Sequence, residues 1–252
     1  MQHMIIGDAH SKPGTNNTRF DLAGQLAVEH KPDAIIDIGD WFDMPSLSSY
    51  DVGKKTFEGR RFNKDLEVGH AAYERFDAPI AAYNSRRKPA DQYHPRKYRL
   101  GGNHSEGRLS RVINDHAELD GVLTHAMFDH DGWQSVPYLE PININGIMYA
   151  HYFISGIMGR AISGEHPATS LLNKMHVSCI AGHSHLWDYS ERVRADGRRI
   201  CAMVAGCYFE HYEGYAGQAN KMWWRGISFA NNIVAGSFDP GRISLTAMRK
   251  RT

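Results

Sequence analysis

The stretch Ala34-Ile35-Ile36-Asp37-Ile38-Gly39-Asp40-Trp41-Phe42-Asp43 decides how this chain folds. Its first five residues form a short apolar run of the kind that fills a fully covered parallel strand. The glycine and two carboxylates behind the run are then delivered at the strand's carboxyl end. Just before it, Lys31-Pro32-Asp33 acts as a stop, because a proline pushes the residue ahead of it out of helical geometry. Residues 17–30 carry apolar positions at Phe20, Ala23 and Ala27, with Leu22 and Leu26 alongside, after an Asn/Thr stretch suited to N-capping. That spacing predicts a helix. In front of the helix stands a second polar cluster, Asp8-Ala9-His10. A strand, helix, strand unit therefore joins the two clusters. In open α/β sheets ligands gather at the carboxyl ends of strands, so Asp8, His10, Asp40 and Asp43 are expected to converge at one edge.

Three more clusters follow: Gly102-Asn103-His104, His151, and Gly182-His183-Ser184-His185. Residues 97–100 read as a strand delivering the first of them, with a helix over 106–123 behind it. Asn145-Gly146 between two short apolar runs is a tight hairpin signal, and His151 ends its second strand. Residues 177–181 deliver the Gly-His-Ser-His cluster in the same way. Asp196-Gly197 predicts a hairpin of 189–194 with 199–204, and Asp239-Pro240-Gly241 separates final strands over 232–238 and 243–248. Within 65–88, Leu66, Tyr73, Phe76, Ile80 and Tyr83 form a helical stripe that Pro79 kinks or splits. Residues 44–62, rich in serine, glycine and charge, read as a loop near the site. The segment 44–98 is thus expected as a loop-plus-helix insertion in a single domain spanning 1–252.

At 252 residues, 42% hydrophobic and 23% charged, the composition is that of a globular α/β domain. No apolar run approaches the roughly 20 residues that span a bilayer. The opening Met-Gln-His-Met-Ile-Ile leaves no room for an export signal before Asp8, so a cytoplasmic protein is expected. Cys179, Cys201 and Cys207 are odd in number and lack C-x-x-C spacing, which argues for reduced core thiols. A net charge of +1 neither requires nor excludes a nucleic-acid partner. The basic groups Arg60-Arg61, Arg86-Arg87-Lys88, those within 96–99, and Arg198-Arg199 are expected on solvated surface. The sequence leaves the oligomeric state open.

All five clusters consist of residue types that bind divalent metal or serve it, and together they read as one dinuclear site. In their order they resemble the calcineurin-like metallophosphoesterase superfamily, with its string D-x-H, G-D-x-x-D, G-N-H, a later H, and G-H-x-H. The short Gly-Asp-Trp-Phe-Asp form is most similar to the nuclease-like and small phosphodiesterase branches. The resemblance covers Asp8 to His185, and it implies a four-layer αββα sandwich of two mixed β-sheets flanked by helices. It further implies two divalent metal ions, manganese first and iron or zinc as alternatives, with Asp40 as the bridge. Asp8, His10 and His185 would complete one site, and Asn103, His151 and His183 the other. By the same resemblance, metal-bound hydroxide attacks the phosphorus and His104 protonates the leaving oxygen. Asp43 would orient the imidazole and hold it cationic.

The expected substrate is a phosphodiester in a nucleotide or in nucleic acid such as DNA. A small phosphomonoester, or a non-catalytic protein-binding scaffold, is the alternative. Three departures from the family pattern stand out: Met44 where a phosphate-binding arginine occurs, Ser105 inserted between His104 and Glu106, and Tyr152 after His151 where glycine is common. Arg108 and Arg111 are expected on a solvated helix face, with contact to a phosphate as the alternative. His211 and the Trp223-Trp224 pair are expected in packing rather than at substrate, and Asp129-His130-Asp131 in a surface turn.

Overall fold

The computed structural model describes residues 1–251, and Thr252 lies outside the described residues. Two mixed sheets carry the chain. The strands are β1 (His3–Ile6), β2 (Ala34–Asp37), β3 (Arg96–Leu100), β4 (Gln134–Val136), β5 (Ile142–Ile144), β6 (Ile147–Ala150), β7 (Ile154–Ser155), β8 (Arg160–Ala161), β9 (Cys179–Ala181), β10 (Trp187–Val193), β11 (Arg199–Ala205), β12 (Gly226–Val234) and β13 (Ser237–Ser244). The helices are α1 (Arg19–His30), α2 (Phe62–Asn84), α3 (Arg108–Asp115), α4 (Pro167–Met175) and α5 (Leu245–Arg249). One sheet runs β13-β12-β1-β2-β3-β4 and the other β10-β11-β9-β6-β5, with β7 and β8 as a separate small hairpin. Strands β1 to β4 are parallel neighbours, as are β6, β9 and β11.

Side-chain alternation sorts the core. On β1, Met4 and Ile6 join Phe20, Ala23 and Ala27 of α1 and Ala72, Tyr73 and Phe76 of α2. Ile5 faces the opposite way, with Ile36, Leu100, Ile147, Ile180 and Met203, so that cluster lies between the two sheets. The far face of the second sheet, at Cys179, Ala202 and Val204, is closed by Leu171 and Leu172 of α4. Cys179, Cys201 and Cys207 are free thiols buried in this core. Among the described residues no helix is long and apolar enough to cross a membrane.

Several expected boundaries move. Helix α2 runs unbroken through Pro79. The helix expected over 106–123 is shorter: α3 ends at Asp115, and a 3₁₀ turn follows at Ala117–Leu119. Residues 114–118 are exposed, so no buried face holds a longer helix together. The last hairpin turns at Ala235 and Gly236, both with positive φ, instead of at Asp239-Pro240-Gly241. Pro240 instead sits within β13, an edge strand, where a missing N–H is tolerated. Thr18 caps α1 without a side-chain hydrogen bond, so the expected Asn/Thr cap is not made there.

Candidate metal centre

Each of the five clusters follows a parallel strand: Asp8 follows β1, Asp40 follows β2, Asn103 follows β3, His151 follows β6 and His183 follows β9. The first three strands belong to one sheet and the last two to the other, so the carboxyl edges of the two sheets meet at the site. Backbone bonds join the loops. The N–H groups of Ala9 and His10 donate to the Asp40 carbonyl at 3.2 and 2.9 Å, and Gly182 N–H donates to the His151 carbonyl at 2.9 Å. Within Gly39–Asp43 the aromatic residues anchor while the carboxylates serve. Trp41 is buried, stacks on Tyr73 at 4.0 Å between ring centroids and donates to the Gly69 carbonyl at 3.1 Å. Such a stack contributes about 0.5–1.5 kcal/mol beyond its buried area.

Two donor sets share no residue, Asp8 with His10 and His185, and Asp40 with His151 and His183, their ligand atoms all within 4.8 Å of one another inside each set; His10 also groups with Asp40 and His104, and with Asp43 and Glu213. In the first, His185 Nε2 lies 3.0 Å and His10 Nε2 3.9 Å from Asp8 Oδ2. In the second, His151 Nε2 and His183 Nδ1 each lie 2.8 Å from Asn103 Oδ1. Asp40 Oδ2 stands between the sets, 3.8 Å from His10 Nε2 and 3.2 Å from His151 Nε2. Its other oxygen accepts the His104 backbone N–H at 2.8 Å, so one oxygen rather than two faces both sets.

The donor sets fit divalent cations on three grounds. His10 Nε2 is buried without a hydrogen-bond partner, its nearest carboxylate oxygens 3.8 and 3.9 Å away, a costly condition that a bound cation relieves. His151 Nδ1 donates to the Ile38 carbonyl at 3.2 Å and His10 Nδ1 to Asp43 Oδ1 at 3.2 Å, which leaves Nε2 of each ring as the ligand atom. Finally, His10, Asp40, His183 and His185 all have φ between 44° and 68°. Left-handed backbone at non-glycine residues costs on the order of 1–3 kcal/mol each and concentrates at functional sites.

Charge explains the titration of the site. Burial pushes the Asp8, Asp40 and Asp43 carboxyls up, but neighbouring histidines outweigh it and hold all three below the usual range. Burial opposes the charging of His10 and His151, yet Asp43 and Asp8 bring His10 to about 10, and Asp40 brings His151 to about 9. Protons thus stand where cations would. Burial, aided by His151, takes His183 down to about 4.

His104 donates from Nδ1 to Asp43 Oδ1 at 2.6 Å, so the expected orienting contact is present. The expected electrostatic effect is not. Burial, with His10 nearby, keeps the His104 pKa below its ordinary value despite Asp40 and Asp43. The inserted Ser105 is absorbed by a π turn at Asn103–Gly107, closed by Gly107 N–H to the Gly102 carbonyl at 3.0 Å. That extra residue lets buried Glu106 return to the loop, where it accepts the Gly102 N–H at 2.9 Å and Arg99 at 2.5 Å.

A cavity of about 920 Å³ opens over the site, lined by Asp40, His104, His183 and His185 and, across from them, by residues from the segment 45–65. That segment is a string of 3₁₀ turns at Pro45–Leu47, Ser49–Asp51 and Lys55–Phe57, and it forms a wall of the cavity. Arg108 and Arg111 are not on a solvated face. Arg108 Nη1 donates to the carbonyls of Asp43 at 2.6 Å and Met44 at 3.2 Å, and Arg111 Nη2 to that of Leu47 at 2.5 Å. Trp223 also lines the cavity, its ring 4.5 Å from that of His185, while Trp224 packs near Trp187. His211 stacks on Phe209 and pairs with Glu213 at 2.6 Å.

Two partners of the site have no counterpart in the sequence reading. Lys12 Nζ bridges Asp43 Oδ2 at 2.9 Å and Glu213 Oε1 at 2.5 Å. The signal available for Lys12 was its place two residues after His10; Glu213 comes from a segment with no strand or helix pattern.

No protein-family model and no curated protein matches the chain. Among solved structures it overlaps Yfce, described as a phosphoesterase from E. coli, at 11% identity and a TM-score of 0.41, over 97% of this chain and 100% of that one. The functional reading therefore rests on the residues of the site.

Proposed function

We propose that this chain is a two-metal phosphoester hydrolase acting on a phosphodiester, in a nucleotide or in nucleic acid. The observation that carries the reading is the pair of adjacent donor sets with Asp40 Oδ2 between them, together with a buried His10 Nε2 that has no hydrogen-bond partner. Asp8, His10 and His185 would hold one cation, and Asn103, His151 and His183 the other, with Asp40 Oδ2 common to both. Divalent cations there supply Lewis acidity toward phosphoryl oxygens and lower the pKa of water. The mixed imidazole and oxygen shell suits manganese, iron or zinc. We read 1–252 as one catalytic domain, with 44–98 shaping access. The order helix, sheet, sheet, helix in the three apolar clusters supports a four-layer αββα sandwich.

The chain's own residues position the substrate and move the proton. Asp43 fixes the His104 tautomer through Nδ1, which leaves Nε2 to give its proton to the departing oxygen. A lowered pKa makes the protonated imidazole the stronger acid, and an anionic phosphoester beside it favours that protonated form. The Asp40 carboxylate holds the His104 backbone, so the acid is tied to a residue that would hold the cations.

The test is hydrolysis of bis-p-nitrophenyl phosphate beside p-nitrophenyl phosphate, with manganese, zinc, iron and chelator arms, for the unaltered chain and Asp40→Asn. Metal-dependent cleavage favouring the diester and lost in Asp40→Asn is expected. Cleavage of the monoester alone would replace the diester assignment, and silence toward both with every metal would remove the hydrolase reading.

A further inference from the structure

We propose that Arg108 is a substrate-binding residue that selects phosphodiesters whose departing half carries an anionic group of its own, a nucleotide rather than a nucleoside. This rests on the two-metal reading above, because it takes His104 as the group beside the leaving oxygen. Arg108 lies four residues after His104, and both side chains line the cavity. Its guanidinium is fixed by one nitrogen: Nη1 meets the carbonyls of Asp43 and Met44 and stands 3.7 Å from Asp43 Oδ1. Among the described residues no protein partner engages Nε or Nη2. The side chain is 15% exposed and lines the cavity, so these donors are left to the cavity and its solvent rather than to the protein's own bonding.

A guanidinium offers five N–H groups in a rigid fork that matches two oxygens of a phosphate or carboxylate. When one nitrogen is anchored and the rest face a cavity, much of the cost of ordering the side chain has been met before ligand arrives. Two neighbours show the contrast. Arg111, one turn on, also holds a backbone carbonyl, but it does not line the cavity. Lys12 lines the cavity, but its charge is already answered by Asp43 and Glu213. The cation pair would neutralise the phosphoryl group under attack. Arg108 stands on the side of Asp43 and His104, where the departing half must lie, and so meets a second anion.

The experiment compares thymidylyl-thymidine with its 5′-phosphorylated and 3′-phosphorylated forms, in manganese, for the unaltered chain, Arg108→Gln and Arg108→Lys. One phosphorylated form is expected to be preferred by about tenfold or more in kcat/KM, carried mainly by KM, as a charge-assisted hydrogen bond implies. The ratio falls to about one in Arg108→Gln and recovers in part in Arg108→Lys. If Arg108→Gln turns over nothing, calorimetric binding of thymidine 5′- and 3′-phosphate replaces rates, with a similar loss of affinity expected. No preference in the unaltered chain, or one that survives Arg108→Gln in rates or binding, overturns the proposal. Bis-p-nitrophenyl phosphate separates the two failures: cleavage of it without any preference removes Arg108's role alone, whereas metal-independent silence removes the hydrolase reading beneath it.

Discussion

The backbone N–H of His104 donates to Asp40 Oδ1 at 2.8 Å, so the proposed acid is tied directly to the carboxylate that stands between the two donor sets. The tie runs through the backbone, and it leaves the imidazole free to be removed without dismantling the centre. His104→Ala is therefore expected to lower turnover of a diester by about 10²- to 10⁴-fold, the usual contribution of a positioned acid, while metal content stays near that of the unaltered chain. Metal analysis beside steady-state rates checks this; loss of metal in the variant would assign His104 to the ligand set instead.

The close packing of loops around Asp40 leaves no room for a side chain at position 102. A Cβ there would overlap Asp40 Oδ1 and the Asp40 backbone nitrogen. Gly102→Ala is expected to destabilise the fold by about 1–3 kcal/mol, as overpacking does, and to weaken cation binding by displacing Asp40. Gly214→Ala, where a Cβ meets open space, is the control. Denaturant melts and metal titrations of the two variants give the comparison, and equal behaviour would show that the loop yields more easily than its contacts imply.

Cation uptake should expel protons. With His10 raised to about 10 and His151 to about 9, both rings are protonated at neutral pH in the metal-free chain and must lose a proton to ligate. The sign follows: affinity for manganese rises with pH across the neutral range. Calorimetry in buffers of different ionisation enthalpy reads the release directly, and buffer-independent heats would contradict it.

Behind the site, Asp37 is wholly buried, accepting from Tyr73 Oη at 2.6 Å and from Gly39 N–H at 3.0 Å. Burial pushes its carboxyl up to about 7. A carboxyl raised in the folded state keeps its proton longer than the unfolded chain does. Its contribution is therefore full below about pH 4 and is lost as pH rises toward 7, at up to ~1.4 kcal/mol per pH unit. Asp37→Asn is expected to flatten stability against pH over that window. Urea melts at pH 5 and pH 8 measure it; an unchanged slope would mean Asp37 is ionised in the fold.

The positions of the five clusters were legible because each follows a short stretch that reads as a strand, and in four of the five a glycine introduces the polar residues at its carboxyl end. Asp8, Asp40, Asn103, His151 and His183 accordingly fall where the strands place them. What the sequence could not convey were contacts between distant segments. Lys12 and Glu213 meet across 201 positions, and neither carries a periodic signal. Arg108 and Arg111 have the spacing of an exposed helix face, and their partial burial comes with the segment 43–47, whose carbonyls they hold. The His104 pKa shows the same limit. Pairing with Asp43 predicts a rise, but the depth of burial, a property of the whole fold, decides the direction. Pro79 and Pro240 misled for a related reason, since their tolerance depends on packing and on edge position rather than on neighbours in sequence.

The most direct test of the central claim is the number of divalent cations retained per chain after reconstitution with manganese and desalting, for the unaltered protein and for Asp40→Asn. Two adjacent donor sets with Asp40 between them predict two cations per chain, and loss of at least one when that carboxylate becomes an amide. An unaltered chain that retains fewer than two, or an Asp40→Asn chain that keeps the full complement, would contradict the account.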